Sequence, residues 1–218
     1  FGKNRIRVYA DIFAFPWLRY RVNAHSQGHE LYADWETQLG PLWLVVRYKR
    51  DEKQVKYYEE EASLYRIVSS QTGQFKLHSL WMPNERWKFQ NRFEVVRSKI
   101  VTDTTGYGFF ACQDIHYQQP GRPLGFPLRV AWFHSPSYAT RLYVYERDLL
   151  YMGGTEMHYG KGWRFMGLMK YRIGPNLHLG VKLGRTYYPE AESLGGGLNE
   201  IAGNHRTQVK TQLIMKIK

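Results

Sequence analysis

Three consecutive carboxylates, Glu59, Glu60 and Glu61, could in principle supply a general acid and base or hold calcium. Neighbouring side chains in a strand or loop diverge instead of converging on one atom. With Lys53 and Lys56 nearby, the run reads as a solvated stretch with no assigned role. The eight histidines, His25, His29, His78, His116, His134, His158, His178 and His205, are scattered. Only His25 and His29 lie close together, and neither has an acidic or Cys partner at metal-ligand spacing, so neither a metal nor a cofactor is expected. A nucleophile needs a base and an orienting group within reach, and no local arrangement of Ser, His and Asp offers them. Gly195-Gly196-Gly197 lacks the Lys and Ser/Thr of a phosphate loop and opens no helix, so it reads as a flexible loop. Trp17, Arg19, Tyr20 and Arg21 could stack single-stranded nucleic acid, yet anchoring at a membrane interface explains the same residues more simply. The reading is therefore non-enzymatic.

The elements that must position these residues are strands. The chain has 218 residues, 17 Tyr and 7 Trp, with 16% aromatic residues, and its mean hydropathy is −0.54. No stretch approaches the roughly 20 consecutive apolar residues of a membrane helix. A transmembrane barrel alternates apolar and polar residues, so its averaged hydropathy is mild, and the low value is no objection to one. A single cysteine, Cys112, excludes an internal disulfide framework. The formal charge of +12 suits a wet basic lumen and membrane rim, or less simply a nucleic-acid groove. The chain begins at Phe1 with neither an initiator Met nor a signal segment, as expected of a processed product or a fragment.

Period two runs through most of the sequence. Val209, Thr211, Leu213, Met215 and Ile217 share one face, against Gln208, Lys210, Gln212, Lys216 and Lys218, and Ile214 alone breaks the pattern. Leu177, Leu179, Val181 and Leu183 oppose His178, Gly180, Lys182 and Gly184. Trp163, Phe165, Gly167, Met169 and Tyr171 oppose Arg164, Lys170 and Arg172, with Met166 and Leu168 as apolar exceptions on the polar side. Trp87, Phe89, Phe93 and Val95 oppose Lys88, Gln90, Arg92 and Glu94, and Trp43 and Val45 blur the start of an otherwise alternating strand from Leu42 to Lys49.

Short turns are expected at Leu39-Gly40-Pro41, Met82-Pro83-Asn84-Glu85 and Ile173-Gly174-Pro175-Asn176, and longer polar loops at about 51 to 72 and 189 to 204. Outer-membrane barrels have short periplasmic turns and long external loops. With the last strand, 205 to 217, ending in the periplasm, these connections alternate consistently if 139 to 158 holds two strands bent near Glu146-Arg147-Asp148 and Tyr159-Gly160-Lys161-Gly162 is an external turn. About twelve strands result, the first over about 5 to 22, in a single domain over 1–218. Several keep their alternation for nearly the 9 to 11 or so residues that a tilted membrane strand needs. The fold class is thus an all-β antiparallel transmembrane β-barrel, or the C-terminal part of a larger one. Arg164, Lys170, Arg172, Lys182, Lys210 and Lys216 are expected to face its lumen, and Trp17, Tyr20, Trp81, Trp87, Trp163, Tyr187 and Tyr188 to mark its interfaces.

Several stretches resemble a known group. FAFPWLRYRVNA from Phe13, GYGFFACQDIHYQ from Gly106, YATRLYVYERDLLY from Tyr138, HYGKGWRFMGLMKYRI from His158 and GGGLNEIAGNHRTQVKTQLIMKIK from Gly195 look like the C-terminal barrel region of Bacteroidetes outer-membrane proteins that carry an N-terminal helix-hairpin-helix region of the competence type. That likeness implies a bacterial outer-membrane barrel facing lipid and lipopolysaccharide, with further chain before Phe1. No helix-hairpin-helix pattern occurs here, and Lys218 stands where such barrels commonly end in an aromatic. The expected function is a structural or transport-associated subunit of an outer-membrane assembly, for secretion or barrel insertion with protein partners, or a pore. DNA uptake alongside the missing module, with nucleic acid as partner, and a barrel enzyme with a site built across strands at the external rim are the alternatives.

Overall fold

The computed structural model describes residues 3–18, 22, 24–59, 64–100, 105–118, 121 and 124–216. Ten long strands form one antiparallel sheet. They are β1 (Lys3–Phe15), β2 (Ser26–Leu39), β3 (Leu42–Glu59), β4 (Leu64–Trp81), β5 (Trp87–Ile100), β6 (Gly106–Gln118) and β7 (Leu124–Ser135), then, after a short hairpin of β8 (Leu142–Tyr145) and β9 (Thr155–His158), β10 (Gly160–Arg172) and β11 (Leu177–Tyr187). A second hairpin, β12 (Ser193–Leu194) and β13 (Ile201–Ala202), precedes the tenth long strand, β14 (His205–Met215). Each long strand pairs with the next long strand in sequence, so the sheet is a meander whose edges are β1 and β14. These strands run from 11 to 18 residues, whereas strands of globular proteins usually have five or six or so.

Pairing register follows from the turns and the alternation. Leu39 pairs with Leu42, which leaves a two-residue turn in which Gly40 takes φ 58°, a conformation that costs glycine nothing. Across the next turn at this rim, the Asn84 side chain accepts hydrogen bonds at 3.0 Å from the backbone N–H groups of Arg86 and Trp87, an Asx-type turn. The turn at 173–176 is closed by the Ile173 N–H donating to the Leu177 carbonyl at 2.9 Å.

With side chains alternating, a single parity per strand separates two faces. The outer face presents Ile6, Val8 and Ile12 on β1, Leu31 and Trp35 on β2, Leu77 and Phe75 on β4, Leu128 and Val130 on β7, Phe165 on β10, Leu183 on β11 and Val209 and Leu213 on β14, all exposed. No charged residue interrupts it until Arg50, Glu52, Arg97, Lys99, Lys161 and Arg185, toward the rim away from the short turns. Ser79 and Asn91 sit within the band but bond to each other at 3.2 Å. The inner face carries most of the charge.

Four expectations change. The sheet has ten strands, because residues 139–158 do not enter it: β7 pairs directly with β10, and the intervening segment folds back over the inner face. Removing two strands together leaves the alternation of connections intact. Most of 51 to 72 is strand, with β3 and β4 paired out to Glu59 and Leu64. Gly160 to Gly162 belong to β10, paired with Ser135 to Phe133, and β1 ends at Phe15, well before residue 22.

Candidate functional site

The inner face of β5 to β14 is covered by residues 136–159, referred to below as the insert. Its apolar half is a small core. Leu142 and Val144 are fully buried among Val96, Phe110, Cys112, Ala131 and Phe133, each contributing roughly 1.5–3 kcal/mol by burial. His158 lies over the rings of Phe110 and Phe133, with centroids 5.2 and 4.7 Å away, and burial pushes its pKa down to about 4. The insert's far tip seats Leu149 on Met166 and Leu168.

Its polar half is an ion-pair network. Arg164, 1% exposed, donates from Nη2 to Glu146 Oε1 at 2.8 Å and from Nε to Glu146 Oε2 at 3.2 Å, and its Nη1 donates to the Thr186 hydroxyl at 3.0 Å. Lys182 Nζ sits 2.9 Å from Glu146 Oε1 and 3.0 Å from Asp148 Oδ2. Lys210 reaches Asp148 Oδ2 at 2.8 Å, while Asp148 Oδ1 accepts from the Leu149 N–H at 2.8 Å. Burial alone would raise both carboxyls. The opposing bonds and charges of Arg164 and Lys182 on Glu146, and of Lys210, the Leu149 N–H and Lys182 on Asp148, hold them below the ordinary carboxylate range. Gln212 completes the attachment, accepting from the Leu150 N–H at 3.0 Å and donating to the Leu150 carbonyl at 2.8 Å.

Glycines on the inner face make the seat. A Cβ on Gly108 would stand 2.4 Å from the Thr140 carbonyl oxygen, one on Gly180 2.6 Å from Leu149 Cδ2, and one on Gly184 2.6 Å from Arg164 Nη2. In strands, glycine weakens pairing unless something must approach closely; here the insert and its arginine do.

The same pairing pattern continues across the sheet. Arg129 forks onto Asp114 at 2.5 and 2.6 Å and donates to the Tyr145 carbonyl at 2.7 Å. Glu94 meets Arg92 at 2.5 Å and Lys76 at 3.3 Å, and Asp34 meets Arg7 at 2.6 Å and Arg47 at 3.3 Å. These buried inner-face carboxylates are thereby held by cations, mostly from adjoining strands.

All six expected basic residues lie on this inner face. Arg164, Lys182 and Lys210 are drawn together by the insert, whereas Lys170, Arg172 and Lys216 line a separate cavity beside its tip. Of the expected interfacial aromatics, Trp81, Trp87, Trp163 and Tyr187 are exposed on the outer face, with Trp81 on Phe89 at 5.3 Å and Trp87 on Tyr117 at 4.7 Å. Trp17 follows β1 and is 82% exposed. Tyr20, with Arg19 and Arg21, lies outside the described residues. Tyr188 corrects the expectation: it turns inward and packs edge-on against Phe133 at 5.6 Å, because one step past the outward Tyr187 it takes the inner parity of Lys182, Gly184 and Thr186.

Sequence reasoning missed Glu146 and Asp148 as partners of the basic face, and also Arg129 with Asp114. The available signal was the set of apolar residues on polar faces. Met166 and Leu168 broke the alternation because the insert covers them, Trp43 and Val45 line a cavity shared with Tyr143 and Tyr145 of the insert, and Ile214 lines the cavity at the insert's tip. The Gly195–Gly197 run forms part of the β12–β13 hairpin, with Gly195 and Gly197 at φ 85° and 61°. His29 stands in β2, with Nε2 3.9 Å from Glu52 Oε2, while Glu60 and Glu61 lie outside the described residues. Among the described residues no group of three or more His, Cys, Asp or Glu side chains converges to hold a metal.

Chemically, the inner face is an electrostatic lock between an acidic insert and a basic sheet, next to cations that the insert leaves free. No protein-family model matches the chain, and no curated protein matches it in sequence.

Proposed function

We propose that this chain is a non-enzymatic, membrane-spanning β-barrel sheet of the outer-membrane type, whose interior is occupied by its own insert. In this reading it is a structural or transport-associated subunit of an assembly in that membrane. The observation that carries the reading is the segregation of charge. The outer face is an exposed apolar band free of charge over several residue pairs from the turn rim, far beyond the single exposed apolar residues of a water-soluble surface, while the inner face is ionic. Strands of 11 residues or more are long enough to cross a bilayer. The resemblance of the sequence to Bacteroidetes outer-membrane barrels supports the same location. An insert pinned by the ion pairs of Glu146, Asp148 and Glu156 favours a plugged barrel over an open pore, and the buried inner-face carboxylates are engaged in ion pairs, which favours a binding or scaffolding role over catalysis.

In lipid, every backbone N–H and C=O must be paired, so the proposal requires partners for the free edges of β1 and β14. The test is the parity of lipid contact. Environment-sensitive labels on cysteines placed at Val181, Leu183 and Val130 in reconstituted protein should be quenched by brominated lipid, and labels at Gln208 and Gln212 should not. A one-residue step changes faces, so equal quenching at both sets, or none at either, refutes the reading.

A further inference from the structure

On the turn side of the sheet, a cavity of about 320 Å³ opens between the insert's tip and the ends of β10, β11 and β14. Its polar wall includes Lys170, Arg172, His178 and Lys216, and its apolar wall includes Leu149, Leu150 and Ile214. Among the described residues no carboxylate lines it. This departs from the rest of the inner face, where Arg164, Lys182 and Lys210 each meet an acid of the insert. Among the described residues, Lys170, Arg172 and Lys216 have no carboxylate within ion-pair distance. Three like charges in a shared concavity favour an anion from outside the chain.

Two further features point to a ligand with an apolar part. Ile214 is an apolar residue on the polar face of β14, and it faces the cavity together with the leucines of the tip. Tyr151, at φ 63°, is the only non-glycine described residue with a left-handed backbone. Aromatic residues adopt this conformation rarely, and such strain concentrates at ligand clamps and switch regions. The ring stands at the cavity mouth, 91% exposed. Volume, lining and charge fall within the range of small-molecule sites, with mostly apolar walls and a few convergent polar groups.

We infer that this cavity is a binding site for an amphiphilic organic anion, a carboxylate or phosphate head held by Lys170, Arg172 and Lys216 with an aliphatic portion against Leu149, Leu150 and Ile214. Tyr151 closes over it from the insert's tip. The site goes beyond the proposed barrel role and does not depend on the membrane.

Equilibrium dialysis of the whole chain in nanodiscs against decanoate, decyl phosphate, decanol and acetate tests it, with empty nanodiscs as the partition blank. One of the two amphiphilic anions should bind once per chain, at least tenfold tighter than decanol or acetate. The tighter head group then distinguishes a free carboxylate from a lipid-like phosphate. K170Q/K216Q should weaken that binding tenfold or more, and I214W, which fills the cavity without changing its charge, should weaken it as well. Trypsin cleavage at Arg147 should stay slow in both variants, showing that the insert is still docked. Decanol binding as tightly as the anions, or anion binding unchanged in both variants, overturns the inference.

Discussion

Glu146→Gln isolates the electrostatic half of the insert's attachment. The substitution keeps shape and removes one charge, so that Arg164 and Lys182, 1% and 0% exposed, lose their shared partner. Arg164 then keeps Glu156 at 3.7 Å as its one charged partner, beside the Thr186 hydroxyl at 3.0 Å, and Lys182 keeps Asp148 at 3.0 Å. Breaking a buried ion pair costs about 3–5 kcal/mol, mainly through the charge left behind. Because each cation retains one partner, the lower end applies, about 3 kcal/mol, which shifts the docked-to-undocked ratio on the order of 100-fold. Limited trypsin proteolysis after Arg147 reads this ratio directly when the insert recloses faster than it is cut. The variant should be cleaved there roughly 100-fold faster than the parent, with the sheet's circular dichroism unchanged. E146L/R164M, which removes both charges, should recover most of the protection. A cleavage rate within about twofold of the parent in E146Q would show that the apolar contacts alone hold the insert, and the electrostatic account would be wrong.

Gly180→Val should lift the insert's tip, since even its Cβ would lie 2.6 Å from Leu149 Cδ2; cleavage after Arg147 should accelerate, and a rate equal to the parent's would count against the seat. Acid should also release the insert. His158, facing Phe110, Phe133, Glu146, Arg164, Arg129 and Arg92, has its pKa lowered from 6.5 to about 4, so its contribution to docking is complete above pH 6.5 and disappears as pH falls toward 4. The carboxyls of Glu146 and Asp148 are also held low, so their contribution is lost at still lower pH. Proteolysis should therefore rise between pH 6.5 and 4, and His158→Gln should flatten that part of the profile; an identical profile in the variant would rule the histidine out. Finally, cysteines scanned along β1 and β14 of the chain reconstituted alone should form disulfides in a single register, because lipid leaves no unpaired edge. No crosslink in any register would mean that these edges do not meet.

Strand type and register were largely legible in the sequence because alternation and turn chemistry are local. Gly40-Pro41, Pro83-Asn84 and Gly174-Pro175 marked turns that the structure contains, and the parity of β10, β11 and β14 placed all six basic residues on one face. The insert was not legible. Leu142, Val144 and Glu146 alternate as an edge strand would, and nothing local distinguishes a strand that joins the sheet from one that lies across it. The difference rests on partners far away in sequence: Gly108 and Gly180 clear the space, Gly184 makes room for Arg164, and Arg164, Lys182 and Lys210 supply the charge. Read from those glycines and from the apolar exceptions Met166, Leu168 and Ile214, a footprint was present but had no owner.

The chemistry of that footprint bears on whether the insert is a fixed plug or a removable one. An apolar plug over Phe110 and Phe133 would be most stable with leucines and valines throughout, since replacing a buried ion pair by packed apolar groups is often neutral or stabilising. Only the half of the insert nearest β9 follows that rule, with Leu142 and Val144. The tip instead attaches through Glu146, Asp148 and the Gln212 bonds to Leu150. Those contacts weaken when the carboxyls are protonated, at lower pH than the His158 contacts of the apolar end. The tip is also the part that borders the Lys170, Arg172 and Lys216 cavity. An anion bound there neutralises the cations beside Leu149 and Leu150 and touches the tip itself. Ligand occupancy and tip docking are then linked, and by reciprocity each must change the other's equilibrium by the same factor.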